Sequence, residues 1–358
     1  MSFAHYRIVL QLLSPLHIGK RKYGNLMETR EYVPGRTLWG ALTGRITRDY
    51  FGGAPNKYEE IGEELNKNLR FGYLWPGLKK LENEKDKKNS SEEFDVYFPW
   101  RISDKNSNKE ERSEGQNSDL NRSIKFIYKF ISPDDFDYLF KFGYMGQPLD
   151  YAQKSTEEGQ LHEVEFIGAK TRDDRQVYLI GDLWIKNEFL ANKDNGEVKI
   201  FSKTVQLKRV FNSLQVGGER GYGWGRVKVE KFEKIENASA LGGAEVEYSQ
   251  NEVILKFKKD QRITAHALAA RWVLDNDKKE ILESVEEGKI EGPIEPLTGY
   301  QLRKNNEWFV ANPPVCYVPG SKITTGSSDS GNSTNDKIDL IVSSRWGILT
   351  KTRQIDSR

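Results

Sequence analysis

The 358-residue sequence predicts an α+β protein: a βαββαβ unit carrying polar insertions, then a second, diverged unit of the same kind. Apolar residues alternate with period two near the N-terminus, over 162–166 and over 226–230, which marks strands. Apolar residues recur at helical spacing over 38–50 and 207–214. Runs of charged and small polar residues interrupt this pattern without replacing it.

Taken in order, Tyr6, Ile8, Leu10 and Leu12 share one face of a first strand, which Ser14-Pro15 ends. A basic segment punctuated by glycine follows, Gly19-Lys20-Arg21-Lys22-Tyr23-Gly24. Tyr32-Val33-Pro34-Gly35 is a turn signal that opens a helix with a buried stripe of Leu38, Ala41, Leu42, Ile46 and Tyr50; Arg45 and Arg48 lie off it. Residues 79–123 hold two tracts too polar to order themselves, flexible insertions around a strand-like Phe94-Asp95-Val96-Tyr97-Phe98-Pro99-Trp100. His162, Val164 and Phe166 face one way on a further strand, and 177–185 is a largely buried one. Leu207, Val210, Phe211 and Leu214 then predict an amphipathic helix before the 226–230 strand. This order is ferredoxin-like over residues 1–237. A linker-like patch at 238–243 leads to a second domain, 244–358, with a strand at Val253–Phe257, a helix over Ala267–Leu282 and a mobile Gly/Ser/Asn/Asp-rich loop at 324–337. Its Tyr317-Val318-Pro319-Gly320 echoes 32–35, four residues that hint at an internal duplication.

Hydrophobic residues make up 37% and charged residues 30% of the chain, and 55 basic against 53 acidic side chains leave a net +2. That balance argues against a bulk polyanion binder but leaves local patches open. One cysteine, Cys316, excludes an internal disulfide and a thiolate metal cluster, and its apolar setting predicts a buried side chain. No cleavable leader or membrane-spanning run is expected, so a cytoplasmic location is the default.

The stretch 217–226 packs five glycines into nine positions and interleaves them with Arg220, Tyr222, Trp224 and Arg226. A dinucleotide-binding loop would run strand, glycines, helix, with the pyrophosphate at the helix N-terminus; the order here is helix, glycines, strand. A phosphate-binding Walker loop would end in Gly-Lys-Ser/Thr, whereas Gly225 precedes Arg226 and Val227. What remains is either a corner into a strand or a surface whose rings and guanidinium groups suit unpaired bases and phosphates.

Three pieces together resemble one family: Leu13-Ser14-Pro15-Leu16-His17-Ile18-Gly19, Tyr32 to Leu42 with its Pro34-Gly35, and Val216 to Val227. They are similar to the RAMP superfamily, the RRM-like subunits of CRISPR effector complexes, most of all those of type III. The resemblance implies a CRISPR RNA-binding structural subunit of a type III effector ribonucleoprotein in antiviral defence, with other effector subunits and target RNA as partners and no cofactor. In that family the glycine loop and the start of the first helix lie against the RNA. Residue by residue, this points to Gly218, Arg220, Gly221, Tyr222, Gly223 and Trp224, and to Gly35, Arg36 and Thr37. The family usually places Ser where Arg36 stands. Lys20, Arg21 and Lys22 join them on charge, because backbone contacts dominate affinity for nucleic acid.

Some RAMP relatives are endoribonucleases, so an alternative is cleavage of guide precursor or target RNA through His17 or Glu28. His17 sits in a basic loop where a general acid or base could meet a 2′-OH, but a histidine at a strand end is commonly structural. Cutting type III backbone subunits carry an Asp between the first strand and helix. The segment Lys20 to Glu31 has none; its only acids are Glu28 and Glu31. His162 on a strand and His266 in the helical run read as structural, and Arg172-Asp173-Asp174-Arg175 as a charged hairpin turn. No cluster has metal-ligand spacing.

Overall fold

The computed structural model describes residues 3–80, 92–100, 124–146, 149–150, 155–156, 162–192, 196–236, 239–249, 251–274, 280–284, 289–298, 300–302, 308–310, 313–324, 337–344 and 346–351. The expected flexible tracts within 79–123 fall largely outside these residues, at 81–91 and 101–123, as does 325–336 of the expected mobile loop. The chain divides into two compact units, Met1–Asn237 and Ala238–Arg358.

In the first unit a seven-stranded sheet runs in the order Val227–Ile235, Phe3–Leu12, Val177–Lys186, Trp75–Lys79, Glu92–Phe98, Ile124–Phe130, with Leu69–Phe71 also paired to Val177–Lys186. Every pairing is antiparallel except Glu92–Phe98 with Ile124–Phe130. Tyr6, Ile8, Leu10 and Leu12 are fully buried on one face, as their alternation predicts. Against them pack Leu38, Leu42 and Ile46 of helix Gly35–Phe51, with Ala41 and Tyr50 partly buried at the margin. Each buried aliphatic side chain contributes about 1.5–3 kcal/mol. The opposite face holds an ion cluster: Arg7 Nε donates to Asp182 Oδ1 at 2.6 Å, and His5 Nε2 lies 2.9 Å from the same oxygen. Burial alone would lower the Arg7 pKa, but Asp182 and Tyr128 more than offset it and the net shift is upward. Arg7 also lies 5.0 Å from the ring of Phe126, several strands away, so the sheet curls over its own face.

Two helices escape the sequence analysis. Helix Pro55–Asn68 has Pro at its start and buries Ile61 and Leu65, one turn apart. Helix Pro133–Phe140 is capped by Ser132, whose Oγ accepts from the Asp135 N–H at 3.1 Å. The amphipathic 207–214 segment is helical only over Leu207–Phe211, although Leu214 stays buried. Asn212 ends it, its Oδ1 accepting the Val229 N–H at 2.9 Å, so the side chain serves the next strand instead of another helical turn.

The second unit corrects the sequence analysis. Ala267–Leu282 is not a helix but part of an antiparallel pair, Ala267–Leu274 with Glu280–Ser284, inside an eight-stranded sheet. Alanine and leucine there favour a helix, but intrinsic propensity is small beside tertiary pairing, and hydrogen bonding to three neighbouring strands overrides it. His266 accordingly sits at a strand entry, fully buried and 2.7 Å from Glu295 Oε1. Among the described residues this unit contains no helix. The echo of 32–35 does not carry over to structure either: Pro34-Gly35 opens a helix, whereas Pro319-Gly320 forms a turn with Gly320 at φ +95°. Val253–Lys258 is a strand as predicted, and Cys316 is buried beside Leu268, Leu297, Trp346 and Ile348.

Candidate nucleic-acid interface

The glycine run closes onto the end of the first strand. Gly218 N–H donates to the His17 carbonyl (2.8 Å), Gly225 N–H to the Pro15 carbonyl (2.7 Å), and Leu13 N–H to the Arg226 carbonyl (2.8 Å). Arg226 N–H donates to Ser14 Oγ at 2.9 Å. Gly225, at φ +73°, has its N–H pinned this way while a Cβ there would overlap the Val216 backbone; Gly217, at φ +86°, would overlap the His17 carbonyl. By contrast, nothing lies within 4 Å of a Cβ built at Gly221 or Gly223. The glycines thus divide into an anchor of 217, 218 and 225 and an open tip.

That tip is a 3₁₀ turn, Arg220–Tyr222, entered through Glu219 at φ +52° and left through Gly223. A non-glycine residue in the left-handed region is strained, and such strain gathers at ligand clamps. Arg220 and Gly221 are exposed, and Tyr222 is 81% exposed. Gln215 Nε2 steadies the turn from below, reaching the carbonyls of Arg220 and Trp224 at 3.4 Å each. Trp224 turns back toward the unit, its ring 5.0 Å from Phe166 and 6.0 Å from Tyr144.

His17 lies beneath the loop, 7% exposed, with Nδ1 2.7 Å from the Glu165 carbonyl. A carbonyl can only accept, so Nδ1 carries the proton and holds the ring to strand His162–Ile167. Lys20, Arg21 and Lys22 stand on a β-hairpin, Gly19–Tyr23 with Leu26–Thr29, in a four-stranded sheet with His162–Ile167 and Lys141–Gly146. Arg21 pairs with Glu28 at 3.0 Å, so Glu28 serves as the counter-ion of the hairpin. Lys20 pairs with Glu31 at 2.8 Å, and Glu31 also meets Lys141 at 3.1 Å. Lys141, 8% exposed at its side chain, reaches Asp137 (2.9 Å) and Glu165 (3.6 Å) as well. Burial alone would raise the Glu31 carboxyl, but Lys20 and Lys141 more than offset this and hold it below its ordinary value. Lys22 is exposed on the hairpin.

The Gly35-Arg36-Thr37 helix start is held separately. Val33 and Leu74 exchange backbone hydrogen bonds at 2.9 and 3.0 Å, and Thr37 N–H returns to the Pro34 carbonyl at 2.9 Å. Its first turn has no acidic residue, so the positive end of the helix keeps its field. The structure therefore joins the first-strand turn, the glycine loop and the basic hairpin through strand His162–Ile167. Lys141, Phe142, Tyr144 and Phe166 were missed as site residues; the alternation of Phe142 and Tyr144 around Gly143 was their available signal. Arg172–Arg175 does form a charged turn, with Asp174 at φ +63° and ion pairs Lys170–Asp174 and Arg175–Asp173.

A glycine loop clasped to the first strand and feeding the last strand of a curled sheet defines an α+β glycine-loop protein. A sequence model of the RAMP superfamily matches residues 9–228, and the chain belongs to that superfamily. Among solved structures it is similar to a chain of the type III-B Cmr-beta complex in the apo state, at 13% identity and TM-score 0.34, over 65% of this chain and 97% of that one. A chain of Cmr-beta bound to cognate target RNA gives 11% and 0.33, over 64% and 96%. A third, from Cmr-beta with cognate target RNA and AMPPnP in state 1, gives 11% and 0.41, over 88% and 85%. No curated protein matches. No helix among the described residues is long and apolar enough to cross a membrane.

Proposed function

We propose that this RAMP protein is a CRISPR RNA-binding structural subunit of a type III effector ribonucleoprotein, contributing to antiviral defence in the cytoplasm. Its partners are CRISPR RNA, target RNA and other effector subunits. The observation that carries this is the division of labour in the glycine loop: Gly217, Gly218 and Gly225 anchor it, which leaves Arg220, Gly221 and Tyr222 exposed at its tip. An anchored tip bearing a guanidinium and a ring suits phosphates and unpaired bases. Residues 1–237 are the RAMP domain and 244–358 a second domain. The order last strand, first strand, Val177–Lys186, Trp75–Lys79, with helices Gly35–Phe51 and Leu207–Phe211 in the connections, supports a ferredoxin-like unit. The hairpin cations Lys20, Arg21 and Lys22 and the helix start Gly35, Arg36 and Thr37 extend the RNA surface.

Cleavage has less support than binding. His17 is buried with its Nδ1 proton committed to a carbonyl, and Glu28 is ion-paired to Arg21.

The test is binding of a single-stranded RNA by the purified chain across a salt series. Affinity falls steeply with salt, and the Arg220→Ala/Trp224→Ala double variant binds about 10- to 100-fold more weakly. Wild-type affinity in that variant at moderate salt removes the loop from the interface.

A further inference from the structure

Beside the glycine loop, planar groups lie in contact in a row across helix Pro133–Phe140, strands Lys141–Gly146 and His162–Ile167, and the loop itself. At one end Tyr138 is 70% exposed, and the Arg172 guanidinium lies 5.2 Å from its ring and 5.0 Å from that of Phe142. Arg172 is fixed there by its Nε, which donates to the Tyr138 carbonyl at 2.6 Å. Phe142 sits directly across the antiparallel ladder from Phe166, their rings 5.8 Å apart and 21° from parallel. Phe166 then touches Trp224 at 5.0 Å, and Trp224 touches Tyr144 at 6.0 Å. None of these residues is buried, and Tyr144 is 55% exposed at the far end.

A row of partly covered rings that ends in two exposed tyrosines marks an interaction surface rather than a core. Three features select its occupant. The row has no aliphatic member, only flat faces and a guanidinium, which itself stacks on rings as a base does. Its one charged member is a cation, Arg172: of the acids beside the row, Asp173, Asp174 and Asp137 are engaged by Arg175 (2.7 Å), Lys170 (2.8 Å) and Lys141 (2.9 Å), while Asp134 and Asp135 stand exposed on the helix of Tyr138. It is also continuous with the glycine loop, because Trp224 belongs to both. The geometry points to a stacking track for the unpaired bases of a single-stranded RNA, with Tyr144 and Tyr138 each receiving a base and Arg172 a phosphate. This rests on the loop being an RNA site and extends that site along the strand of RNA.

The test uses the full chain and a single-stranded oligouridine of twelve nucleotides carrying one 2-aminopurine, followed by anisotropy and by quenching of the 2-aminopurine. Tyr144→Leu and Tyr138→Leu each weaken binding about 5- to 100-fold and relieve the quenching, whereas Tyr144→Phe retains both. Leucine keeps apolar bulk but no π-face, and both tyrosines are more than half exposed, so the thermal midpoint stays at the wild-type value. If both leucine variants bind normally while Arg220→Ala is weakened, the track is wrong and the loop stands. If Arg220→Ala and Tyr144→Leu are both silent, the RNA reading of the loop falls and the track with it. Intact RNA affinity with loss of a neighbouring effector subunit assigns the row to a protein partner and overturns the inference.

Discussion

Gly225→Ala separates the anchor of the glycine loop from its tip. The residue is at φ +73°, and a Cβ there would overlap backbone atoms of Val216, which a side-chain rotation cannot relieve. Left-handed backbone costs a non-glycine residue about 1–2 kcal/mol. Moving the loop to make room also endangers the Gly225 N–H to Pro15 bond (2.7 Å) and the Val216 N–H to Gly225 bond (2.8 Å). Each is worth about 1 kcal/mol. The sum is about 3–4 kcal/mol, a fall in thermal midpoint of roughly 6–16 °C for a unit of this size. Gly221→Ala is the control, because its Cβ would meet nothing within 4 Å and its φ is not positive. Its midpoint stays within about 2 °C of wild type, the range of an ordinary surface substitution. Thermal unfolding followed by circular dichroism reads both. A Gly225→Ala protein that melts with wild type, or a Gly221→Ala protein that melts equally early, refutes the division into anchor and tip.

Three further outcomes follow from the charges. Lys141→Met removes one of the two lysines on the mostly buried Glu31 and costs about 2 kcal/mol, less than a fully broken buried pair because Lys20 still reaches that carboxylate. Glu31 is depressed in the folded state, so its contribution is present above its ordinary value of 4.5 and lost as pH falls through the lower folded value; acid titration of stability is correspondingly flatter in Lys141→Met. Asp182→Ala leaves Arg7, 3% exposed, without its carboxylate and costs about 3–5 kcal/mol in urea unfolding, while Arg7→Met/Asp182→Leu recovers most of it. Lys22→Ala lowers the slope of log affinity against log salt by about 0.7, one single-strand phosphate contact, and leaves the thermal midpoint unchanged.

Much of the first unit is legible in the sequence because its signals are local. Period-two alternation places Phe3–Leu12, and Pro34-Gly35 with the Leu38, Leu42, Ile46 stripe places the first helix. The order of helix, glycines and strand is also visible, and it is what separates this loop from nucleotide-binding loops. Other features depend on distant partners. Ala267–Leu274 has helix-forming residues and becomes a strand through neighbours at 280–284, 315–317 and 349, none of them readable from its own window. The role of each glycine was equally hidden, because Gly225 and Gly221 differ in backbone angle and in what approaches them from residues 15 and 216, neither of which the sequence spells out. Trp224 is legible as one of the rings interleaved with the loop's glycines; its place against Phe166 and Tyr144 arises from a strand pairing no spacing rule reports. The cap at Ser132 and the proline at position 55 were local signals of helices and went unread.

The most direct measurement is photo-crosslinking of 4-thiouridine-substituted single-stranded RNA to the full chain, with the modified peptides mapped by mass spectrometry. RNA seated on the glycine loop gives crosslinks within 218–224 and on the hairpin at 20–23. Crosslinks confined to 238–358, with the loop untouched, contradict an RNA-binding role for the glycine loop.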